Sequence, residues 1–291
     1  MFPRFLCIGA RHSGTTWLHD NLGAHAAVWL PPVKEIHYFD TVPAPFRDRL
    51  FPTEMHLKKA RRHFLRSIEN HAKYGAGSTF AWNLKYFLWP RNDDWYAGLF
   101  PDRPGLYPGD ITPGYARLEI DMVRHVSDLM PDLRVIYLIR NPIDRSWSQT
   151  ARYLGFRHGD RLYDLPADTI LDFFIGPSPT RNSDYLKTLD IWESVFPKEQ
   201  VGVFFLDDIA EDPTRTLNAI CRFIGIDEMA SWPDRALGTR INVGTGARIP
   251  VQVRQPIAEL SRAQIEALHD RFQNRHTEAW LRSVEELAAG I

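Results

Sequence analysis

The stretch FLCIGARHSGTTWL, residues 5–18, decides the fold of this chain of 291 residues. An apolar run ends at Gly9, a turn carries Gly14, and a helical pattern follows. A helix that starts after such a turn points unpaired N–H groups and the positive end of its dipole at an anion. The spacing of the two glycines is that of a phosphate-binding loop, but Thr15 stands where ATP-binding loops carry lysine. The segment predicts a nucleotide-phosphate site without the usual ATP chemistry, the alternative being a purely structural turn.

A second strand-turn-helix pattern lies in LRVIYLIRNPIDRSWSQTARY, residues 133–153. The apolar run RVIYLI is typical of a buried parallel strand, and Asn141 and Pro142 then start a helix. Arg140 lies at the carboxyl end of the strand, where open α/β sheets bind their ligands. A solvated charge is the alternative for Arg140 taken alone. The two segments together favour an anion site.

These segments and the apolar runs around them predict an α/β fold with three layers, in which a P-loop-like parallel central sheet is flanked by helices on both faces. No linker rich in Gly, Ser or Pro divides the chain. We therefore expect one domain over residues 1–291, with a variable acceptor-side insertion at about 41–103. The expected strands lie near Phe5, Val28, Leu106, Val135 and Val203.

Composition limits the partners and the compartment. The 35 basic and 36 acidic residues nearly cancel, which disfavours nucleic acid as a partner and makes anion binding local. Cys7 and Cys221 fit buried reduced thiols, and no metal-ligand spacing is present. We expect neither a signal peptide, since MFPRFLCIGA runs straight into the loop, nor a membrane span. A cytoplasmic protein is the resulting prediction.

Together the two segments resemble the cofactor signatures of the sulfotransferases that use 3′-phosphoadenosine 5′-phosphosulfate (PAPS), in particular bacterial sulfotransferase-domain proteins related to the glycosaminoglycan-type enzymes. The resemblance implies that the first segment binds the 5′-phosphosulfate and that the second grips the 3′-phosphate, with PAP as the product. An Arg fork with a hydroxyl suits a dianionic phosphate. The implied cofactor residues are Arg11, His12, Ser13, Gly14, Thr15, Thr16 and Trp17 in the first segment, Arg140 and Ser148 in the second, and Gly246.

Further segments extend the resemblance. PVKEIHYFD, residues 32–40, is similar to a segment in which a Glu before a His-aromatic-Phe run acts as the catalytic base. Glu35 is therefore the expected base, with His37 second; a surface carboxylate and a structural histidine are the alternatives. GDITPGY, residues 109–115, resembles a turn near the acceptor, and residues 185–225 resemble the common tail of the fold.

The chain departs from the family pattern at two positions. His12 replaces the lysine that contacts the sulfuryl oxygens, so we expect a protonated His12, or else Arg11 or Lys34, to stabilise the leaving group. Ile111 replaces a lysine of the glycosaminoglycan enzymes, which makes an acidic sugar polymer a less favoured acceptor.

The resemblance implies in-line transfer of a sulfuryl group from PAPS to a hydroxyl (or amine) of a small-molecule, glycan or lipid acceptor. A carboxylate acts as general base when burial raises its pKa, and no metal is expected. A homodimer is compatible with this prediction. The alternatives are a P-loop small-molecule kinase, for which Asp207 and Asp208 would bind Mg²⁺, and a nucleotide-binding scaffold without catalysis. Aromatic residues between 82 and 96 are interpreted as core or as an acceptor wall, and the basic run 58–66 as a solvated helix face.

Overall fold

A central sheet of five parallel strands organises the molecule, as expected. The structure, a computed structural model, describes residues 1–41, 61–62, 65–66, 68, 78–233 and 248–290. All five strands lie where the sequence predicts them. They are β1 (Phe5–Gly9), β2 (Val28–Trp29), β3 (Tyr107–Ile111), β4 (Arg134–Ile139) and β5 (Val201–Phe205), in the spatial order β2-β3-β1-β4-β5.

Helices follow the strands along the chain, as connections between parallel strands require. Short 3₁₀ helices cover Pro113–Arg117, Gly159–Asp164 and Lys198–Gln200. The α-helices with described bounds are α1 (Thr15–Leu22), α2 (Ser78–Leu88), α3 (Asp93–Ala97), α4 (Ile120–Leu129), α5 (Pro142–His158), α6 (Ala167–Phe174), α7 (Pro177–Ser183), α8 (Tyr185–Glu193), α9 (Leu206–Glu211), α10 (Pro213–Ile224), α11 (Val251–Phe272) and α12 (Arg275–Ala289).

The sheet separates two hydrophobic cores, which confirms the three-layer prediction. Successive side chains of a strand point to opposite faces. On β1, Leu6 belongs to the core shared with α4, α5, α8, α11 and α12, whereas Cys7 belongs to the core shared with α1 and α10. The same alternation on β4 places Tyr137 in the first core and Leu138 in the second. Both faces of the sheet are therefore covered by helices.

The strand order reverses at β1, because β3 pairs with one edge of β1 and β4 with the other. A crevice forms at such a point, outside the carboxyl ends of the strands. The backbone N–H of Ala10, just after β1, donates to the carbonyl of Leu138 on β4 at 2.6 Å. The two segments that the sequence singles out therefore leave the sheet side by side.

The aromatic residues near α2 and α3 divide between core and surface. Tyr86, Phe87, Trp95 and Tyr96 are buried, which supports the core interpretation for them, while Trp89 is exposed. The insertion at about 41–103 stays a prediction, because residues 42–60 and most of 63–77 lie outside the described residues. Most of the basic run 58–66 lies there too.

The last two helices form a hairpin. Helices α11 and α12 pack against each other, and α11 also packs against α5 and α6. Residues 234–247, including Gly246, lie outside the described part of the chain. Cys7 and Cys221 are buried free thiols, as expected. Within the described ranges, every helix is too short or too polar to cross a lipid bilayer.

Candidate active site

The loop between β1 and α1 has the geometry of an anion cradle. Gly14 adopts φ +92°, a left-handed backbone conformation that favours glycine, and serves as the N-cap of α1. It lacks a side chain to bond the first N–H groups of the helix. Beside it, the Arg11 Nε atom is buried and has no hydrogen-bond partner among the described residues. Donors and positive charge thus converge at the start of α1.

The predicted 3′-phosphate segment begins where β4 ends. Arg140 follows the strand, and its carbonyl accepts a hydrogen bond from the Tyr185 hydroxyl at 2.9 Å. Asn141 caps α5, since its side-chain oxygen accepts from the Ile143 N–H at 2.9 Å. The Arg140 guanidinium lies 3.7 Å from the Asp144 carboxylate and keeps part of its surface exposed. The arginine is therefore held by one carboxylate and remains accessible to another anion.

The two segments meet through His12 and Ser148. The His12 Nδ1 atom lies 3.3 Å from the Ser148 Oγ atom, although 136 positions separate the residues in the chain. Burial and, to a smaller extent, nearby guanidinium charges lower the pKa of His12 to about 4. Without a bound anion, His12 is therefore neutral at neutral pH. The contributing guanidinium groups belong to Arg145, Arg152, Arg11 and Arg140.

Arg145 is a component of this site that lacks a signal in the sequence. The residue is fully buried on α5 and, within the described ranges, has no carboxylate within ion-pair distance. Its guanidinium donates instead to neutral oxygens, among them Ser183 Oγ at 2.5 Å and the Pro179 carbonyl at 2.7 Å. A buried cation without a counter-ion is costly. Its positive charge adds to the attraction of the site for an anion.

Lys34 brings a further cation to the cradle. Its Nζ atom donates to the Thr16 Oγ1 atom at 2.5 Å, in the first turn of α1, and lies 3.6 Å from a Glu35 carboxylate oxygen. Burial lowers the pKa of Lys34, but Glu35 opposes that shift. The sequence offers Arg11 and Lys34 as replacements for the family's lysine at position 12. Arg11 is part of the loop, and Lys34 contacts the loop through Thr16.

The residues Glu35, His37 and Asp40 form a chain of ion pairs. His37 Nε2 lies 3.3 Å from Glu35 Oε2, and His37 Nδ1 lies 2.8 Å from Asp40 Oδ2. Glu35 and His37 adopt φ +63° and +54°. Such backbone is unfavourable for residues with a side chain and persists where the surroundings hold it. The geometry aligns the three side chains in sequence, and Asp40 is a member that the motif did not single out.

The ion pairs set the protonation of this chain of residues. Burial alone would lower the pKa of His37, but hydrogen bonds to Asp40 and Glu35 raise it to about 9. Burial raises the pKa of Glu35, but the His37 hydrogen bond and the charge of Lys34 outweigh it and lower the pKa to about 2. The expectation that burial leaves Glu35 with a raised pKa is therefore wrong, because two cations flank the carboxylate.

The buried carboxylate of Asp110 anchors the segment that carries this chain of ion pairs. Asp110 at the end of β3 accepts hydrogen bonds from Tyr96 at 3.0 Å, Tyr115 at 2.9 Å and Thr112 at 2.7 Å. Burial raises the pKa of Asp110 to about 6. The Tyr115 hydroxyl in turn accepts from the Tyr38 N–H at 3.0 Å. The turn predicted near the acceptor therefore anchors the segment that carries Glu35 and His37.

Gly114 in the same turn makes room for Asp40. A Cβ atom at Gly114 would lie 1.8 Å from Asp40 Oδ2 and 3.3 Å from His37 Cε1. The backbone of the 3₁₀ helix thus packs directly against Asp40, the last member of the ion-pair chain. Arg91 also contacts this segment, since its guanidinium donates to the Ile36 carbonyl at 2.7 Å. These contacts are long-range, and a single sequence carries no sign of them.

Two further predictions concern Trp17 and the pair Asp207 and Asp208. The Trp17 side chain is buried in the core that includes α1, and its role in cofactor binding stays a prediction. Asp208 lies 2.7 Å from His276 Nε2 and 3.1 Å from Arg275. Among the described residues, no group of three or more His, Cys, Asp or Glu side chains is arranged to hold a metal ion.

Comparison with known proteins places the chain among the sulfotransferases. The sequence pattern of the sulfotransferase family matches residues 3–231. Two curated relatives are heparan sulfate glucosamine 3-O-sulfotransferase 6 of Mus musculus, 27% identical over 145 residues, and that of Homo sapiens, 26% identical over 145 residues. Each match covers 47% of this chain and 41% of the relative, so it spans about two fifths of the relatives' length.

Solved structures have the same fold. The sulfotransferase from Alicyclobacillus acidocaldarius has a TM-score of 0.62 and 20% identity, covering 96% of this chain and 99% of that one. The sulfotransferase domain from the curacin biosynthetic pathway has a TM-score of 0.55 and 17% identity, covering 84% and 81%. Since the family pattern covers most of the chain and the fold agrees with it, this chain belongs to the sulfotransferase family.

Proposed function

We propose that this sulfotransferase moves a sulfuryl group from PAPS to a hydroxyl or amine of a small-molecule, glycan or lipid acceptor, with Glu35 as general base. The observation that carries the proposal is the contact between His12 and Ser148 at 3.3 Å, which joins the two cofactor segments at one edge of the sheet. The carboxylate of Glu35 lies within reach of the same loop through Lys34, 3.6 Å away.

The donor half of the site fits a molecule with a negative charge at each end. The uncapped start of α1, the unpartnered Nε of Arg11 and the ammonium of Lys34 suit the 5′-phosphosulfate. Arg140 and Ser148 suit the 3′-phosphate, because a planar guanidinium and a hydroxyl both donate to phosphate oxygens. The excess of positive charge around His12 is then neutralised by the donor.

Glu35 takes the proton of the acceptor as the acceptor oxygen or nitrogen attacks. A carboxylate with a pKa of about 2 is a weak base, but two of the charges that lower the pKa belong to Lys34 and Arg11. A bound anion beside those cations offsets their charge, so the pKa of Glu35 rises in the complex. His37, held by Asp40, fixes the orientation of the carboxylate. The base is thus strengthened when the donor arrives.

Fixed donors stabilise the leaving phosphate. A sulfuryl group carries less negative charge than a phosphoryl group, so N–H donors and side-chain cations suffice by the positioning logic of group transfer, without a metal. Lys34 contacts the loop through Thr16 and stabilises the leaving phosphate in place of the lysine that the family has at position 12. His12 adds a second positive charge once the bound donor raises the pKa of the histidine.

Transfer of label from [³⁵S]PAPS tests the function. The enzyme is incubated with labelled donor and panels of sugars, lipids and small alcohols or amines, and labelled products are separated from the donor. We expect an acceptor-dependent product that Glu35→Gln fails to form, while Glu266→Gln, an exposed carboxylate on α11, behaves as wild type. If the label stays in the donor with every acceptor, the proposed transfer reaction is wrong. If Glu35→Gln transfers label like wild type, the assignment of Glu35 as general base is wrong.

A further inference from the structure

The hairpin of α11 and α12 lies beyond residues 3–231, the part that matches the family pattern. Nevertheless its second helix reaches the carboxyl edge of the sheet. The Asn141 side-chain amide donates to the Ser283 hydroxyl at 3.0 Å, and that hydroxyl donates to the Trp280 carbonyl at 2.7 Å. Ser283 therefore has a defined donor role and a defined acceptor role at this contact.

The contact fixes which way the Asn141 amide points. Its oxygen accepts from the Ile143 N–H at 2.9 Å and so caps α5, while its nitrogen is satisfied by Ser283. Asn141 follows Arg140 directly and precedes the helix that carries Ser148. The amide thus links the two residues proposed to grip the 3′-phosphate, and the last helix holds the amide.

A second contact reaches the neighbouring strand. The Trp280 indole N–H donates to Asp207 Oδ1 at 3.3 Å, and the Trp280 ring lies 5.6 Å from the ring of Phe205 at the end of β5. These two contacts hold α12 against the end of β5.

We propose that Ser283 is a positioning residue for the 3′-phosphate, so that the C-terminal hairpin completes the donor site of this enzyme. The inference rests on the proposed function, because the 3′-phosphate grip of Arg140 and Ser148 is itself proposed. Ser283 does not touch the donor and acts through Asn141. A change at Ser283 should therefore alter recognition of the 3′-phosphate and leave recognition of the rest of the nucleotide unaffected.

Titration calorimetry with two nucleotides tests this inference. PAP carries the 3′-phosphate and adenosine 5′-phosphosulfate lacks it. Ser283→Ala removes the hydroxyl that accepts from the Asn141 amide, with a small change in packing volume. We expect it to weaken PAP binding about 3- to 10-fold, the worth of one neutral hydrogen bond, and to leave binding of adenosine 5′-phosphosulfate unchanged. Ser283→Thr, which retains the hydroxyl, and Glu285→Ala, an exposed change on the same helix, should bind both ligands like wild type.

The outcomes separate this inference from the proposed function. If wild type prefers PAP but Ser283→Ala retains that preference in full, the hairpin does not position the grip and the inference is wrong. Equal losses for both ligands would show a general loosening of the fold and would also overturn it. If wild type binds both ligands equally, the 3′-phosphate grip fails, and the proposed donor site and this inference fail together.

Discussion

The donor half and the base half of the site are built in opposite ways. The donor half, residues 10–17 and 140–148, follows directly from two strand-turn-helix units and gathers cations around His12, whose pKa is lowered to about 4 by burial and by those charges. The base half, residues 34–40, alternates cations and anions that pair with one another. The donor half is arranged to receive an anion. In the base half the charges already neutralise one another, and its function depends on the exact placement of the Glu35 carboxylate. Damage to the first should impair binding, and damage to the second should impair turnover.

The largest effect should come from Glu35→Gln. The change removes the proposed proton acceptor and keeps its shape, so turnover should fall by roughly two to four decades. PAP affinity should stay within about twofold, since the donor half is intact. Steady-state rates and calorimetry on the same preparations check both statements. If turnover survives in Glu35→Gln and is lost in His37→Ala, then the base is His37.

Arg140→Ala should break the other half. Loss of a charged hydrogen-bond fork, with the phosphate left unpaired, costs on the order of 2–3 kcal/mol, so PAP should bind roughly 30- to 150-fold more weakly. Adenosine 5′-phosphosulfate should bind wild type and variant about equally. Calorimetry with both ligands measures the difference. An equal loss for both would contradict the assignment of Arg140 to the 3′-phosphate.

Gly114→Ala should impair placement in the base half alone. The new methyl group would overlap Asp40 Oδ2, which would have to move together with its partner His37. Displacement of a catalytic group by about 1 Å costs up to about 100-fold in rate, and we expect roughly tenfold here. PAP affinity should be unchanged. Unimpaired turnover, with a normal melting temperature, would show that Asp40 and His37 do not orient Glu35.

A smaller effect concerns pH. The pKa of His12 is about 4 without a ligand, and a bound anion raises it, so PAP binding should take up a proton. PAP affinity should therefore be greatest at low pH and fall, by at most about tenfold per pH unit, as pH rises towards the pKa of the complex. Turnover at saturating donor should fall at higher pH, as the pH rises through the pKa of His12 in the complex and the histidine loses its charge. Calorimetry in two buffers of different ionisation enthalpy measures the proton uptake.

Two variants sharpen this pH test. His12→Lys keeps a positive charge at all these pH values, so it should remove the alkaline limb, whereas His12→Ala should lower activity at every pH. A flat wild-type profile, or full activity in His12→Ala, would assign the stabilising charge to Lys34 or Arg11. The contact between Lys34 and Thr16 makes Lys34 the next residue to substitute.

The sheet and the donor half could be predicted from the sequence because their signals are local. An apolar run that ends at Gly9 or Ile139 and a helix that starts at Thr15 or Pro142 are visible within about twenty residues. The backbone conformation of Gly14 follows from the residue type. The resemblance implied separate roles for His12 and Ser148, and the adjacency of β1 and β4 brings the two side chains into contact.

The electrostatics could not be predicted, because they depend on contacts between distant segments. The charge of Lys34 and the imidazolium of His37 reverse the expected direction of the pKa of Glu35. Burial of Arg145 depends on α7 covering it through Ser183. The contact of Ser283 with Asn141 joins residues that are 142 positions apart in the chain. A pattern read along one sequence does not contain such pairings.

Parallel titration of wild-type enzyme with PAP and with ATP and Mg²⁺ tests the central claim most directly. PAP presents a 3′-phosphate to Arg140 and Ser148 and a 5′-phosphate to the loop, whereas ATP has no 3′-phosphate and places a longer chain of phosphates in the cradle. We predict that PAP binds at least about 100-fold more tightly than ATP with Mg²⁺. Tighter binding of ATP with Mg²⁺, or equal affinity for both, would contradict a PAPS-dependent donor site.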